Sequence, residues 1–129
     1  FLVANECIVA QGYKDAILKA KDSSTVATGR STGHPVRVIK NKLAREILAL
    51  EKQNADVEKI NELCTGTLAA AVLSGDADHG NIMSGQIAGL VKKEQPAAEI
   101  IEEMFKEAEE IYEDRNNICR AGRSVSRNG

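Results

Sequence analysis

The chain has 129 residues, 43% of them hydrophobic and 28% charged, with a net charge of −2; this is enough for one domain with a core and too little for two sizeable ones. Aromatic residues make up only 3%, which argues against nucleic-acid binding by base stacking, and no apolar run reaches the roughly 20 residues that span a bilayer. No secretory signal is visible, and Cys7, Cys64 and Cys119 fit neither a disulfide framework nor a metal spacing, so reduced thiols in a cytoplasmic protein are expected.

Residues 1–4, Phe-Leu-Val-Ala, read as a buried strand of the parallel kind. Such a strand needs neighbours on both sides, and the rest of the chain supplies few. The expectation is a C-terminal piece of a longer protein. Residues 13–20 form a short amphipathic helix with Tyr13, Ala16, Ile17 and Ala20 on one face. The β-rich runs 25–28 and 36–39 flank a polar loop and predict an antiparallel hairpin, with Pro35 at a strand's start or edge. Asn41 is placed to cap a helix carrying Leu43, Ile47 and Leu50. Asp56 is placed to cap a second, over 57–64, whose apolar face includes Cys64; that thiol reads as core rather than nucleophile. An alanine-rich helix over 67–73 stops at Ser74-Gly75. A further helix is predicted from Gly80 to about Lys93. Pro96 then opens an amphipathic helix marked by Ile100, Ile101, Met104, Phe105, Ala108, Ile111 and Tyr112. Beyond Arg115 the pattern fails, and a disordered tail is expected over 116–129. The organisation is therefore 1–22, 23–80, 81–115 and the tail.

Charge is segregated along the chain. Between Ser23 and Arg45 there is no acidic residue, while Arg30, Arg37, Lys40, Lys42 and Arg45 are basic; this segment suits an anionic partner. Residues 94–114 are strongly acidic and read as a solvated helix face. His34, in Gly33-His34-Pro35, lacks the neighbour a general acid requires and reads as a loop residue or phosphate contact. Arg30, Arg37 and Lys40 beside it read either as a solvated surface face or as a basic hairpin fit for a nucleotide phosphate or an acidic carrier protein. The loop Asp76-Ala77-Asp78-His79-Gly80 lacks calcium or zinc spacing and reads as a solvated turn; no metal site is assigned.

Gly85 and Gly89 lie in the run 80–95. In a helix each costs about 1 kcal/mol relative to alanine. Two uses of the space remain open: close packing against another backbone, or a flat cofactor beside Met83, Ser84, Gly85 and Gln86. In the second, the methionine is a soft apolar wall and the glutamine amide meets a ring's polar edge.

The segment Gly80-Asn81-Ile82-Met83-Ser84-Gly85-Gln86-Ile87-Ala88-Gly89-Leu90 closely resembles the Gly-Ser-Val-Met-Ala-Gly-Gln-Ile-Ala-Gly-Leu motif of FMN-dependent enoyl-acyl carrier protein reductases. These belong to the larger nitronate monooxygenase (2-nitropropane dioxygenase-like) superfamily. Phe1 to Cys7, the run 13–20, Thr28-Gly29-Arg30, and the run from Gly33-His34-Pro35 to Leu43 resemble the same family in order, as far as about Glu113. The resemblance implies an α/β fold, the C-terminal part of a TIM barrel with a small inserted lobe of hairpin and helices, the piece itself being mostly helical. Residues 1–4 would be the last barrel strand, and the acidic helix would pack back on the barrel.

It also implies hydride passing from NAD(P)H through FMN to a trans-2-enoyl thioester on acyl carrier protein, in a cytoplasmic homodimer. The family's catalytic histidine and phosphate-cradling glycines lie upstream of Phe1, so no residue here is assigned as catalytic. Met83, Ser84, Gly85 and Gln86 are implied at the flavin and acyl pocket, and Arg30, His34, Arg37 and Lys40 at the nicotinamide nucleotide. Ser84 stands where relatives carry alanine, residues 7–12 lack a histidine many relatives have, and the tail has no counterpart. The alternatives are a nitronate monooxygenase, against which the basic hairpin argues because a small nitronate needs no such surface, and a non-catalytic helical interaction module.

Overall fold

The computed structural model describes residues 1–125. Its elements in order are α1 (Gln11–Leu18), β1 (Thr25–Thr28), β2 (Val36–Ile39), α2 (Lys42–Lys52), α3 (Val57–Cys64) and α4 (Thr67–Ala69), which widens into a π-turn over Ala70–Ser74. A short 3₁₀ turn (Gln86–Leu90) and a long helix α5 (Ala97–Val125) follow.

The hairpin forms as the β-rich runs predict. β1 and β2 pair antiparallel, with Thr25 opposite Ile39 and Thr28 opposite Val36. α2 starts where Asn41 accepts a hydrogen bond from the Ala44 N–H at 2.9 Å. The Asn41 amide also donates to the carbonyls of Ala77 at 3.0 Å and Gly80 at 2.7 Å, so one buried side chain ties the helix to the loop ahead of residues 82–86. Asp56 sits at the cap position of α3, but its side chain makes no capping bond. The loop 76–80 is a turn closed by Asp76, whose carboxylate accepts from the N–H groups of Asp78 and His79; these bonds, the His79 one foremost, hold its carboxyl below the usual range.

The main core gathers Val3, Tyr13, Ile17, Ala20, Ile39, Ala71, Ile82 and Ala88. It therefore sits between α1, the end of β2, the π-turn and residues 82–88. A second cluster of Leu43, Ile47 and Ile60 lies between α2 and α3, with Cys64 packed against it. Burial pushes the Cys64 thiol up, with Glu51 adding to the effect, as suits a core cysteine rather than a nucleophile.

Residues 1–4 find few partners within the chain: Val3 and Ala4 are buried, Phe1 is 64% and Leu2 39% exposed, and among the described residues Ala4 alone of the four is bridged, in parallel to Gln95. Two sequence-based expectations are corrected. Residues 80–93 are not a helix. Residues 82–84 run extended beside β2, bridged from Met83 to Val38, with Ile39 N–H donating to the Ile82 carbonyl at 2.9 Å and Ser84 N–H to the Arg37 carbonyl at 3.1 Å. The sheet edge thus wins over a helical propensity that the glycines had weakened. Finally, residues 116–125 continue α5 to Val125 instead of fraying. There is no proline after Pro96, and a nucleated helix extends at little further cost. The rest of the expected tail, residues 126–129, lies outside the described residues.

Over residues 101–112 the apolar side of α5 is largely exposed. Met104 is 58%, Phe105 69%, Ile111 64% and Tyr112 69% exposed. Among the described residues, no helix is long and apolar enough to cross a membrane.

Candidate functional site

The run 82–86 emerges from the core and turns outward. Ile82 is buried, Met83 and Ser84 are half-buried, and Gly85 and Gln86 are exposed. Three contacts fix its course. β2 holds the backbone of residues 82–84, as described. The Tyr13 hydroxyl, on a side chain only 2% exposed, donates to the Met83 carbonyl at 2.7 Å. Gly89 rests on the chain just beyond α1.

The two glycines have separate uses. A Cβ added at Gly89 would stand 2.7 Å from the Lys21 carbonyl carbon and 2.8 Å from the Asp22 nitrogen, a backbone-on-backbone approach that only glycine allows. A Cβ added at Gly85 would meet nothing within 4 Å. Close packing therefore explains Gly89, and Gly85 keeps an open face.

Ser84 and Gly85 line a small, mainly apolar hollow of about 140 Å³ with residues 1–3, Ile17 and Val91. Gln86 lines a second hollow, about 460 Å³, with Asp22, Thr25, Arg37, Ile87 and Leu90. Arg37 is held there by its hydrogen bond to the Thr25 hydroxyl at 3.2 Å.

Arg37 and Gln86 are thus brought together, although 49 positions separate them in the sequence. The other basic residues sit elsewhere. Lys40 donates to the Ser23 carbonyl at 2.5 Å and lines a different hollow, of about 500 Å³, with Lys42 and Arg45. Arg30 and His34 are exposed on the hairpin loop, which Ser31 ties to α2 through Glu51. Among the described residues, no group of three or more His, Cys, Asp or Glu side chains could hold a metal ion.

The segment following the turn is anchored by Lys14, 4% exposed, whose ammonium donates to the Ala4 carbonyl at 2.8 Å and to Glu94 at 2.6 Å. The Lys14 hydrogen bond, with a second from Gln11, holds the Glu94 carboxyl below its usual range. Burial pushes the Tyr13 phenol up, the bond to Met83 offsetting part of the rise. Sequence reasoning placed Tyr13 on a core face and passed over Lys14. The available signal was chemical: a tyrosine on an apolar face carries a hydroxyl that needs a partner, but nothing in sequence shows that the partner is 70 residues away.

The family model described as "Nitronate monooxygenase" matches residues 1–107. A "Probable nitronate monooxygenase" of Staphylococcus saprophyticus is 32% identical over 111 residues, covering 86% of this chain and 31% of that protein. One of Staphylococcus aureus is 27% identical over 113 residues, covering 88% and 32%. Among solved structures, FabK from Thermotoga maritima superposes with a TM-score of 0.84 at 37% identity, covering 90% of this chain and 37% of that one. A methionine-to-alanine variant of it gives 0.74 and 34%. The chain spans about a third of the length of these relatives. Its helix-rich fold with a two-stranded sheet matches a part of their TIM-barrel architecture.

Proposed function

This chain belongs to the nitronate monooxygenase family of flavin-dependent oxidoreductases, and from that premise we propose that it is the C-terminal part of an FMN-dependent enoyl-acyl carrier protein reductase. The observation that carries the reading is the open face of Gly85, flanked by Met83, Ser84 and Gln86. A turn with a bare Cα can lie against a flat ring, and the neighbouring side chains offer an apolar wall, a hydroxyl and an amide. FMN, when bound, supplies the hydride relay from NAD(P)H to the β-carbon of a trans-2-enoyl thioester. The residues of this chain bind and position: Met83 and Ser84 border the acyl side, and Gln86 with Arg37 the polar side. No proton transfer or bond to substrate is assigned to a residue of this chain.

The substrate choice is supported by two things. The solved FabK structure matches at higher identity, 37%, than the two nitronate monooxygenase relatives compared, 32% and 27%. Arg37, from a segment with no acidic residue between Ser23 and Arg45, also stands beside Gln86, where a cation suits a phosphate-bearing nucleotide or an acidic carrier protein and is superfluous for a small nitronate. The second reading, nitronate oxidation, is favoured by the names of the family model and of the sequence relatives. The test is turnover by the complete protein carrying this segment. NAD(P)H-dependent reduction of crotonyl thioester is expected. Oxygen uptake with propionate 3-nitronate in the absence of NAD(P)H, without crotonyl reduction, would transfer the assignment to the second reading.

A further inference from the structure

We propose that Tyr13 and Lys14 are positioning residues, clamping both ends of the segment that carries Ser84, Gly85 and Gln86 and so setting where that turn stands in the pocket. The inference rests on the flavin-pocket reading above and goes beyond it by assigning work to two buried side chains on a different element.

Adjacent helical residues point about 100° apart, so one helix can reach two places at once. From α1, Tyr13 reaches the Met83 carbonyl at 2.7 Å and Lys14 reaches Glu94 at 2.6 Å and the Ala4 carbonyl at 2.8 Å. Met83 precedes the turn and Glu94 follows it. Between them Gly89 lies on the backbone of Lys21 and Asp22, immediately past the same helix. The whole excursion is therefore referenced to α1, and none of the three contacts touches the open face of Gly85.

Packing alone does not call for these side chains. Phenylalanine would fill nearly the same volume as Tyr13, and methionine nearly that of Lys14. Their polar ends are costly to bury without partners, and an ion pair withdrawn from water adds little net stability. What they add is a fixed position. The phenol holds the peptide between Met83 and Ser84 at one height. The ammonium binds Ala4 and Glu94 together, so the wall formed by residues 1–3 and the return arm of the turn move as one.

The test uses the complete protein with Tyr13→Phe, Lys14→Met and Lys14→Arg. The readouts are the Kd for FMN by fluorescence quenching, the visible circular dichroism of the bound flavin, the thermal midpoint, and kcat/KM for a short and a long enoyl thioester. Loss of one such hydrogen bond corresponds to about a twofold to tenfold effect. Tyr13→Phe is expected to raise the Kd for FMN by about that factor, alter the dichroism and change the long-to-short substrate ratio. Lys14→Met is expected to do likewise, and Lys14→Arg, which keeps the charge and the donors, to restore most of the loss. A lower thermal midpoint with unchanged Kd, dichroism and substrate ratio would overturn the proposal, because a merely structural role predicts that pattern. If Tyr13→Phe does not fold, the comparison of Lys14→Met with Lys14→Arg decides. A wild type that binds FMN but does not reduce enoyl thioesters would sink the enoyl reading alone, since the Kd and dichroism would still judge the clamp.

Discussion

The two glycines of the turn make opposite predictions for the same substitution. At Gly89, alanine places a methyl carbon 2.7 Å from the Lys21 carbonyl carbon, 2.8 Å from the Asp22 nitrogen and 3.0 Å from the Lys21 carbonyl oxygen. All three are backbone atoms that cannot swing aside as a side-chain tip would, so α1 and the turn must separate. Overpacking of this kind costs about 1–3 kcal/mol, against a gain of about 0.4–1 kcal/mol from the reduced freedom of the unfolded chain. With both terms at mid-range, Gly89→Ala is therefore destabilising by roughly 1.3 kcal/mol net. At Gly85 the new methyl meets nothing within 4 Å and the backbone is extended, at φ −71° and ψ 171°, so only the entropic gain of about 0.4–1 kcal/mol remains. Urea unfolding of each variant beside the wild type, comparing midpoints at equal slope, reads both values. Equal destabilisation at the two positions, or a Gly89→Ala as stable as the wild type, would refute the separation of their uses.

Asn41→Ala removes the α2 cap and two bonds to the Ala77 and Gly80 carbonyls. It is expected to lower stability by about 1–3 kcal/mol in the same urea assay. Glu94 has a folded-state pKa below its unfolded value, chiefly through the hydrogen bond from Lys14. Its contribution is therefore complete above the ordinary glutamate range, near about pH 4.3, and is lost as pH falls through the lowered folded value. Glu94→Gln should flatten that acid limb of stability measured by urea unfolding from pH 6 downward, and an unchanged slope would contradict the pairing. The isolated 129-residue chain is expected to retain no flavin colour after dialysis against buffer, because it lacks the phosphate-cradling glycines the resemblance assigns upstream; stoichiometric yellow protein would contradict this.

The hairpin, α2 and the amphipathic stripe of α5 are legible in the sequence because their signals are local. β-branched runs flank a glycine loop, Asn41 precedes a 3.6-residue apolar period, and Ile101, Met104, Phe105, Ala108, Ile111 and Tyr112 recur on one side of a helix. The turn at 80–90 announces its family by motif, yet its conformation is misread as a helix. What decides it is the edge of β2, more than forty residues away, which takes up the backbone groups of residues 82–84. Residues 1–4 carry the pattern of a buried strand, and the described residues provide a partner only at Gln95, in keeping with the few strand neighbours the sequence offers. The candidate site divides in the same way. Residues 83–86 are found by motif, and the pairing of Arg37 with Gln86 only by folding. Of the basic residues read as a separate nucleotide-binding set, Arg30 and His34 stand on the hairpin loop and Lys40 beside another hollow. Tyr13 and Lys14 escape notice because their partners have no sequence signature.

The central claim, that residues 83–86 border the flavin, is tested most directly by the FMN-to-protein ratio of the complete protein carrying Gly85→Val. A Cβ at this position meets nothing within 4 Å among the described residues, so the added side chain acts on what lies against the open face of the turn. The account predicts a marked loss of bound FMN with an unchanged far-ultraviolet dichroism. Full FMN occupancy with wild-type turnover would contradict it.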